Sequence, residues 1–459
     1  MARRQRQRAN RGKAKRGRTR RGERVAMQPV ESYVSEIVAA IRPLPPAELF
    51  LEQAEGAVTA ADVTAASQLP GFDNSGMDGY AVRAADVATA SESAPVVLPV
   101  EAEVAAGDTT SRTLTPGRCI KIMTGALLPA GADAVVPVEW TQQGTGVGGT
   151  TGAGAGGTTG AGLGGTGLTL PGPGGRPVVA ISRPAAKGNA IRRAGGDAQP
   201  GDLLVPAGTL LGPAQIGVLA AAGHGTVLAR RRPRVTVIST GSELAEPGQP
   251  LIPGRIWESN SYMLAACARQ AGCETTRHST LPDDPGAVLA AVERAAADAD
   301  LLITSGGVSM GGEHDVVKAA LTKLGTVTFR KIAMQPGMPQ GFGLLGRDST
   351  PILTLPGNPV SAFVSFLLFA RPALRALQDL SAIREAQRRC RLTEAVSSPN
   401  GKRSFLRGTL DTQAGAVTPL TGQSSHQIAS LARANALIIV PEAVTSLPAG
   451  EIVEVLELP

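Results

Sequence analysis

The sequence predicts a multidomain fold in which an α/β unit is combined with β-rich units. Its 459 residues are enough for three or four domains. From Arg234 to about residue 378, continuous apolar strands alternate with helical patterns, which is typical of a mostly parallel sheet covered by helices. Residues 95–140 and the stretch after about residue 380 contain short β-like segments separated by turns. We therefore expect β domains on both sides of the α/β unit.

The elements of the α/β unit follow one another in a regular order. The predicted strands are "VTVIST", "ADLLITSGG" and "PILTL", and the predicted helices lie in "SNSYMLAACARQAG", "GAVLAAVERAAADA", "DVVKAALTKLG" and "NPVSAFVSFLLF". In the last helix, Asn358 takes the N-cap position and Pro359 the first helical position. Near the start of the chain, six apolar residues at helical spacing predict an amphipathic helix: Val30, Tyr33, Val34, Ile37, Val38 and Ile41.

Two segments have a strongly biased composition. The first 24 residues hold 12 of the 45 basic residues and one of the 38 acidic ones, which leaves 33 basic and 37 acidic residues elsewhere. We expect residues 1–26 to be a disordered basic tail, whose charge would allow contact with nucleic acid. The alternative is a start codon placed too early, with the native chain beginning near Met27. Residues 144–175 are rich in Gly and Thr and predict a flexible inserted loop, or else a linker.

Composition and spacing argue against several classes of protein. The four cysteines and four histidines show neither CxxC nor HxxxH spacing, so we expect no zinc site and a reduced, cytoplasmic protein. No uninterrupted apolar run is long enough for a transmembrane helix, and the basic tail lacks the apolar region of a secretory signal. The sequence contains neither a P-loop nor a dinucleotide-binding glycine fingerprint.

Polar turns follow three of the predicted strands. "STGSEL" (239–244) provides hydroxyl groups and Glu243, "TSGGVSMGG" (304–312) provides glycines, and "LPGNPVSAF" provides a helix N-terminus. The carboxyl ends of parallel strands meet at one edge of a sheet, and glycine lets backbone N–H groups approach an anion closely. Each turn taken singly is also compatible with a simple tight connection. Together, the three turns predict an anion-binding pocket at the edge of the sheet.

Carboxylates close to these turns suggest Mg²⁺, which binds one or two carboxylates together with substrate phosphates. The candidates are Asp73, Asp78, Asp197, Glu243, Asp283, Asp284 and Asp315. Simpler roles are open to two of them, since Asp284 precedes a proline and can cap a helix, and Asp73 can form an Asx turn. Glu243 and Asp78 lie among small residues with no obvious partner, and are therefore the stronger candidates.

Six motifs, in this order, carry a resemblance to a known family: "PGFDNSGMDGYAV", "IKIMTGALLPAGADAVVPVE", "IRRAGGD", "STGSEL", "TSGGVSMG" and "LPGNPVSAF". They resemble the molybdopterin molybdenumtransferase family, which includes MoeA and the E domain of gephyrin. The resemblance implies an elongated four-domain subunit that forms a homodimer. The implied domains are a split N-terminal domain (27–65 and 199–230), an inserted β-rich domain (66–198), an α/β molybdopterin-binding domain (231–378) and a small C-terminal β domain (384–459).

The resemblance also implies an activity in molybdenum cofactor biosynthesis. The family inserts molybdate into adenylylated molybdopterin with Mg²⁺, and releases AMP and molybdopterin carrying molybdenum. The implied catalytic residues are Asp78, Thr124, Asp197, Glu243 and Asp283. Glu243 and Asp283 are expected near Mg²⁺, and Asp315 is a further candidate although the turn before it is one residue longer than in the family. The implied ligand-binding residues are Asn260, Ser305, Gly306, Gly307, Ser309, Lys331, Pro356, Gly357, Asn358 and Pro359.

Asp78, Thr124 and Asp197 are expected to reach the site of the other subunit across the dimer. The chain departs from the family at "QPGMP", where Gln335 and Met338 replace two lysines of the usual "KPGKP". We expect weaker anion binding, or compensation by Arg192 or Arg403.

The alternatives to molybdate insertion are the preceding step, adenylylation of molybdopterin, and a non-catalytic pterin-binding scaffold. A preference for tungstate is also open. A molybdopterin adenylyltransferase is a possible protein partner, and no membrane partner is expected.

Overall fold

The computed structural model describes residues 27–141, 170–171, 177–278, 281, 284–307, 316–323, 325–347, 349–380 and 387–458. Several predictions fall outside the described residues. These are the predictions for the basic tail, for Asp283, Ser309 and Asp315, and for all but two residues of the Gly/Thr-rich loop.

The described helices include one in each of the five segments that the sequence predicts to be helical, and three further helices (213–221, 371–377 and 428–431) that were not predicted. In chain order, the described helices are α1 (Val30–Ala40), α2 (Pro213–Ala221), α3 (Asn260–Gln270), α4 (Pro285–Asp298), α5 (Val316–Lys323), α6 (Pro359–Ser365), α7 (Arg371–Leu377) and α8 (Ile428–Leu431). A π-helical segment, Phe366–Ala370, joins α6 to α7, and the 3-10 helices are Leu51–Gln53, Ala84–Val87 and Val138–Trp140. The apolar face of α1 is buried, as its spacing predicts, with Tyr33 and Ile37 inaccessible to solvent.

Segments that are distant in sequence pack together near the N-terminus. The strand Thr226–Arg230 lies between Ala47–Phe50 and Val58–Thr59, and Val63–Thr64 pairs with Leu203–Val205. Helix α2 contributes Leu219 to the small core of this unit. Helix α1 lies elsewhere, because its buried residues pack against the α/β core. The domain boundaries given above stay a prediction.

The β-rich region is built on a six-stranded sheet. Its order is Ala134–Pro137, Gly79–Val82, Cys119–Ile122, Val96–Val104, Pro177–Ile181 and Leu170–Pro171. A two-stranded ribbon joins Asn74–Ser75 to Ile191–Arg192. Because Pro177–Ile181 pairs with Val96–Val104, regular β structure resumes after the Gly/Thr-rich loop, as predicted.

The α/β unit has a six-stranded mixed sheet. Its order is Glu274–Arg277, Arg234–Ser239, Leu301–Ser305, Thr350–Leu355, Pro339–Leu345 and Val327–Lys331, and the first four strands are parallel. Helices α3, α6 and α7 cover one face together with α1, and α4 and α5 cover the other. The predicted mostly parallel sheet covered by helices is therefore confirmed. A short ribbon of Leu244–Ala245 and Ile256–Trp257 follows the first strand of the unit.

The C-terminal unit is a closed β-barrel. Its strands run Arg403–Asp411, Ala416–Pro419, Gln387–Leu392, Ile452–Glu457 and Ala436–Val440, and the last pairs back with the first. The ribbon Val396–Ser397 and Ser446–Leu447 lies beside it. The strand Met334–Gln335 of the α/β unit adds to Arg403–Asp411, so the barrel is hydrogen-bonded to the α/β unit.

The helical stretch Pro359–Leu377 is long and apolar enough to cross a membrane by length and composition alone. However, 67% of its most apolar window is buried inside the protein. This burial is what a core helix of a globular protein requires, and Phe366 and Phe369 of this stretch belong to the main core.

Candidate functional site

Three parallel strands end side by side at one edge of the α/β sheet, as predicted. The N–H of Thr240 donates to Ser305 O (3.2 Å), and the N–H of Gly306 donates to Leu355 O (3.2 Å). A Cβ on Gly306 would lie 2.6 Å from the carbonyl oxygen of Thr240, and its φ is +96°. Glycine is therefore required at this position, because both the close approach and the left-handed backbone exclude other side chains.

Asn260, the first residue of α3, connects two of the three strand ends. Its Nδ2 donates to Ser305 Oγ (2.8 Å) and to Gly357 O (2.6 Å). Asn260 Oδ1 and the hydroxyl of Thr240 are both shielded from solvent, and neither has a hydrogen-bond partner among the described residues. Buried polar groups without partners are costly, and a bound ligand, ion or water molecule can complete them. The edge therefore has the unsatisfied polar atoms expected of a ligand site.

The structure adds Glu258, which the sequence analysis did not single out. Its side chain is 2% exposed. The carboxylate accepts hydrogen bonds from Ser239 Oγ (2.9 Å), Ser261 N (2.8 Å) and Ser261 Oγ (2.6 Å). It therefore joins the end of the first strand of the unit to the start of α3. Because Ser239 lies 19 residues before Glu258, no local sequence signal reveals this contact.

Glu243 is exposed at the same edge, in the turn after the first strand of the α/β unit. Its carboxylate lies against the backbone of Gly241 and has no hydrogen bond or ion pair among the described residues. Asp284, in contrast, caps α4 by accepting a hydrogen bond from Ala287 N (2.7 Å), which confirms its simpler role. Among the described parts of the chain, no group of three or more His, Cys, Asp or Glu side chains is gathered as a metal site.

The turn "LPGNPV" contacts the C-terminal barrel. Asn358 is the N-cap residue and Pro359 the first residue of α6, as predicted, but the Asn358 side chain does not cap the helix. Its Nδ2 donates to Ser425 Oγ (2.9 Å), and Val360 N donates to Ser425 O (3.0 Å). Pro356 is buried, and its carbonyl accepts a hydrogen bond from Ser305 Oγ (3.3 Å). A barrel loop, residues 421–427, therefore borders the strand ends.

A buried cation, Arg407, lies behind this loop and was also not predicted. Its side chain is fully buried, and Nη2 donates to the carbonyl oxygens of Gly422 and Ser424. Nε and Nη1 have no partner among the described residues. Burial lowers the pKa of the Arg407 guanidinium. A buried guanidinium with free N–H groups is suited to an oxyanion, because each free N–H group can donate a charge-assisted hydrogen bond.

The residues near "QPGMP" differ in their surroundings. Gln335 is exposed and pairs through its backbone with Ser404 of the barrel, and Met338 and Lys331 are half-buried. Arg403, one of the two arginines considered as compensation, already forms ion pairs with Glu31 and Glu442. The other, Arg192, is exposed in the β-rich region.

Asp78 and Thr124 form a pair in the β-rich region. Asp78 Oδ1 accepts hydrogen bonds from Thr124 N (2.6 Å) and Thr124 Oγ1 (2.8 Å). The expectation that Asp78 has no partner is therefore wrong, because a turn 46 residues later supplies two donors. Both hydrogen bonds hold the pKa of the Asp78 carboxyl below its usual range, and the one from the Thr124 backbone has the larger effect.

Asp73 and Asp197 lie in the same region. Asp73 accepts hydrogen bonds from Ala194 N (2.8 Å) and from the Arg193 side chain, so it anchors a distant segment. Asp197 is exposed, and its N–H donates to Leu69 O (2.9 Å). Within one chain, the predicted residues thus form two groups, one at the strand ends of the α/β sheet and one in the β-rich region.

A separate groove of about 1000 Å³ lies between α1, α7 and the barrel. Its walls are mostly apolar, with Val34, Leu368 and Phe405 among them. Arg403 lines this groove, but none of the residues described at the strand ends or beside Asp78 does. The size of this groove therefore does not identify the ligand site. The strand ends and their polar atoms without partners indicate that site instead.

Comparison with known proteins gives matches along most of the chain. Family models match residues 28–223 ("MoeA N-terminal region (domain I and II)"), 236–376 ("Probable molybdopterin binding domain") and 389–458 ("MoeA C-terminal region (domain IV)"). Among solved structures, a molybdopterin biosynthesis MoeA protein of Pyrococcus horikoshii is 32% identical with a TM-score of 0.69. That match covers 94% of this chain and 99% of the other.

Relatives with curated names extend over nearly the whole length. Molybdopterin molybdenumtransferase 2 of Mycobacterium tuberculosis is 43% identical over 94% of this chain and 99% of its own. The molybdopterin molybdenumtransferase of Bacillus subtilis is 34% identical over 86% of each chain. On this similarity, and on a four-domain architecture with the α/β unit at its centre, the chain belongs to the molybdopterin molybdenumtransferase family.

Proposed function

We propose that the protein inserts molybdate into adenylylated molybdopterin and releases AMP and molybdopterin that carries molybdenum. The observation that carries the proposal is the edge of the α/β sheet, where Thr240 and Asn260 present polar atoms without partners beside the glycine turn 306–307. The names of relatives that are 34–43% identical support the same reaction.

The strand ends are suited to holding the pterin. Gly306 gives a ligand access to backbone N–H groups, and the N-terminus of α6 faces the same edge. Asn260 is fixed by two hydrogen bonds, so it contributes to binding without losing side-chain freedom. We assign pterin or phosphate binding to Asn260, Ser305, Gly306, Gly307 and the turn 356–359, with Ser309 and Lys331 as further members of the set.

Arg407 is suited to binding molybdate. Molybdate is an oxyanion, and Arg407 offers free Nε and Nη1 groups at a position where the barrel loop 421–427 meets α6. A single buried guanidinium would compensate for the neutral Gln335 and Met338. Arg403 is less suited to this role, since two glutamates already pair with it. Holding the pterin and the oxyanion side by side supplies proximity.

Mg²⁺ fits the donor set at this edge. Glu243 is an exposed carboxylate without a partner among the described residues, and Mg²⁺ commonly takes one or two carboxylates together with substrate phosphates. Glu243 would hold the ion, and Asp283 and Asp315 stay candidates from outside the described residues. When bound, Mg²⁺ would neutralise charge on the pyrophosphate and polarise its bond.

The second group of residues is proposed to act in a homodimer. Asp78, kept ionised by Thr124, and the exposed Asp197 would enter the site of the other subunit. Their exposure leaves them free to meet a partner surface. A cytoplasmic location and contact with a molybdopterin adenylyltransferase are also proposed, on the basis of the family alone.

The test is a reaction of purified protein with adenylylated molybdopterin, Mg²⁺ and molybdate, in which AMP release is followed. AMP release that depends on molybdate supports the proposal. Tight pterin binding without AMP release would instead favour the second candidate, a non-catalytic pterin-binding scaffold. The scaffold candidate is supported by Gln335 and Met338, which stand where the family usually has lysines.

A further inference from the structure

Glu258 is a buried carboxylate whose described contacts are all internal. It follows the strand Ile256–Trp257 and directly precedes the first turn of α3. Oε1 accepts hydrogen bonds from Ser239 Oγ and Ser261 N, and Oε2 accepts one from Ser261 Oγ. A buried carboxylate is tolerated only when such donors compensate for its lost hydration. The three hydrogen bonds therefore fix the positions of the groups that make them.

Both anchors of Glu258 are next to ligand-site residues. Ser239 immediately precedes Thr240, and Ser261 immediately follows Asn260. Thr240 Oγ1 and Asn260 Oδ1 are both shielded polar atoms that have no hydrogen-bond partner among the described residues. Glu258 thus sets the separation of Thr240 and Asn260 without standing at the edge itself.

Ser261 is also held from its other side. Arg277 Nη1 donates to Ser261 Oγ (3.3 Å) and to Glu246 Oε1 (3.0 Å), and its guanidinium lies 4.0 Å from the centre of the Tyr262 ring. The first turn of α3 is therefore clamped between a buried carboxylate and an arginine. This clamp explains why Asn260 can maintain both of its hydrogen bonds across the neighbouring strands.

We propose that Glu258 is a positioning residue for pterin binding, which holds Thr240 and Asn260 at the separation that the ligand requires. The inference rests on the proposed function only for the identity of the ligand. The positioning role requires acceptor oxygens at residue 258 and does not require a negative charge there. This difference can be tested with two substitutions of similar size.

The test compares Glu258→Met and Glu258→Gln with an exposed control, Glu293→Met on α4. Methionine removes all acceptors and leaves three donors unpartnered. Glutamine keeps one oxygen for Ser239 and for Ser261 N, and its amide nitrogen can donate to the Ser261 hydroxyl. The measurement is the Kd of molybdopterin in an anoxic fluorescence titration, together with the melting temperature of each variant.

We expect Glu258→Met to raise the Kd about tenfold or more, because loss of a fixed hydrogen-bond geometry weakens binding on this scale. Glu258→Gln should stay within about threefold of the wild type, and Glu293→Met should not differ from it. Should Glu258→Met fail to fold, Ser239→Ala removes a single donor, and its Kd should still rise.

The inference is overturned if Glu258→Met or Ser239→Ala binds molybdopterin as tightly as the wild type. It is also overturned if Glu258→Gln is as impaired as Glu258→Met, since charge and not geometry would then be required, or if the wild type does not bind molybdopterin. None of these readouts depends on turnover. A wild type that binds molybdopterin but releases no AMP would contradict the proposed function and leave this inference standing.

Discussion

The charge of an exposed carboxylate in this protein is set by the donors that surround it. Asp78 receives two hydrogen bonds from one residue, Thr124, and both favour the ionised form. The pair therefore presents a carboxylate that stays ionised to more acidic pH than an ordinary aspartate. Such a group is suited to a site that needs negative charge at a defined place.

Replacing Thr124 by valine should raise the pKa of Asp78 part of the way to its ordinary value. Valine keeps the backbone donor, which is the larger cause of the lowered pKa, and removes the hydroxyl donor. The measurement is a carbon NMR titration of labelled aspartate. Asp108, whose pKa is lowered by Thr110 and Arg112, should titrate as in the wild type and serves as the control.

Because Thr124→Val raises the pKa of Asp78, this carboxyl becomes protonated at a higher pH than in the wild type. The acid limb of any activity that needs ionised Asp78 should therefore shift to higher pH in the variant. An unchanged Asp78 titration would show that the hydroxyl hydrogen bond does not form in solution.

The site residues that lie in sequence motifs were easier to predict than the buried charged residues that support the site. Asn260, Ser305, Gly306 and the turn 356–359 are at the strand ends because strand and helix patterns place them there. Glu258 and Arg407 were missed, since Ser239, Gly422 and Ser424 lie 15–19 residues from them and become their neighbours only through tertiary packing. A buried charge is invisible to local patterns until its partners are known.

At the scale of single elements, the strand ends depend on backbone conformations that only glycine tolerates. The N-cap position of α6 was predicted correctly, but the Asn358 side chain bonds to Ser425 of the barrel instead of capping the helix. Capping rules describe local competition for an N–H group, and a partner from another domain changes the outcome.

Gly306→Ala should weaken molybdopterin binding while leaving the protein folded. The new Cβ would lie 2.6 Å from Thr240 O, so the strand ends must separate. Gly346→Ala is a matched control because Gly346 also has a positive φ (+66°) but has open space around it.

Both variants should lose about 1 kcal/mol or more of stability from the backbone strain. Gly306→Ala should lose more than Gly346→Ala because of its contact with Thr240 O, and only Gly306→Ala should lose affinity in the molybdopterin titration. Equal affinities in the two variants would argue against a ligand at this edge.

At the scale of the whole molecule, a basic segment joins the N-terminal unit to the α/β unit. Arg231 forms a bidentate pair with Asp300 (2.6 and 2.8 Å), and Arg234 N donates to the same carboxylate (2.7 Å). Arg230 pairs with Asp379 beyond the end of α7. These arginines hold adjoining units together, although a run of arginines in a sequence is equally typical of a nucleic-acid contact.

Asp300→Asn should destabilise this junction by about 2 kcal/mol, because it removes a largely buried charge that compensates Arg231. The melting temperature of the α/β unit should fall by about 4–8 °C. Burial favours the neutral acid, but the hydrogen bonds from Arg231 and Arg234 outweigh it and lower the pKa of Asp300. The stabilisation should therefore be complete above the ordinary aspartate pKa and be lost as the pH falls through the folded-state value.

Calorimetry of wild type and variant at neutral and acidic pH checks this expectation. Glu92→Gln, which breaks the exposed pair with Arg183, should change the melting temperature little. A difference between Asp300→Asn and wild type that persists unchanged in strong acid would show that the ion pair is not its cause.

The overall architecture was largely predictable from the sequence, but the strand pairings that close the barrel and join it to the α/β unit were not. Alternating strand and helix patterns indicated the parallel core of the α/β sheet, and short β segments indicated the two β units. The closing of the barrel between Arg403–Asp411 and Ala436–Val440, and the addition of Met334–Gln335, join segments that are distant in sequence. Such pairings depend on tertiary geometry that hydrophobic periodicity does not contain.

The central claim is that this chain transfers molybdenum. The most direct measurement combines wild-type protein, adenylylated molybdopterin and Mg²⁺ with molybdate or with sulfate, and follows both AMP release and molybdenum bound to the pterin. We predict AMP release and pterin-bound molybdenum with molybdate only, and loss of both in Glu243→Gln, which removes the exposed carboxylate at the strand ends. Bound pterin with no AMP release in the presence of molybdate would contradict the account.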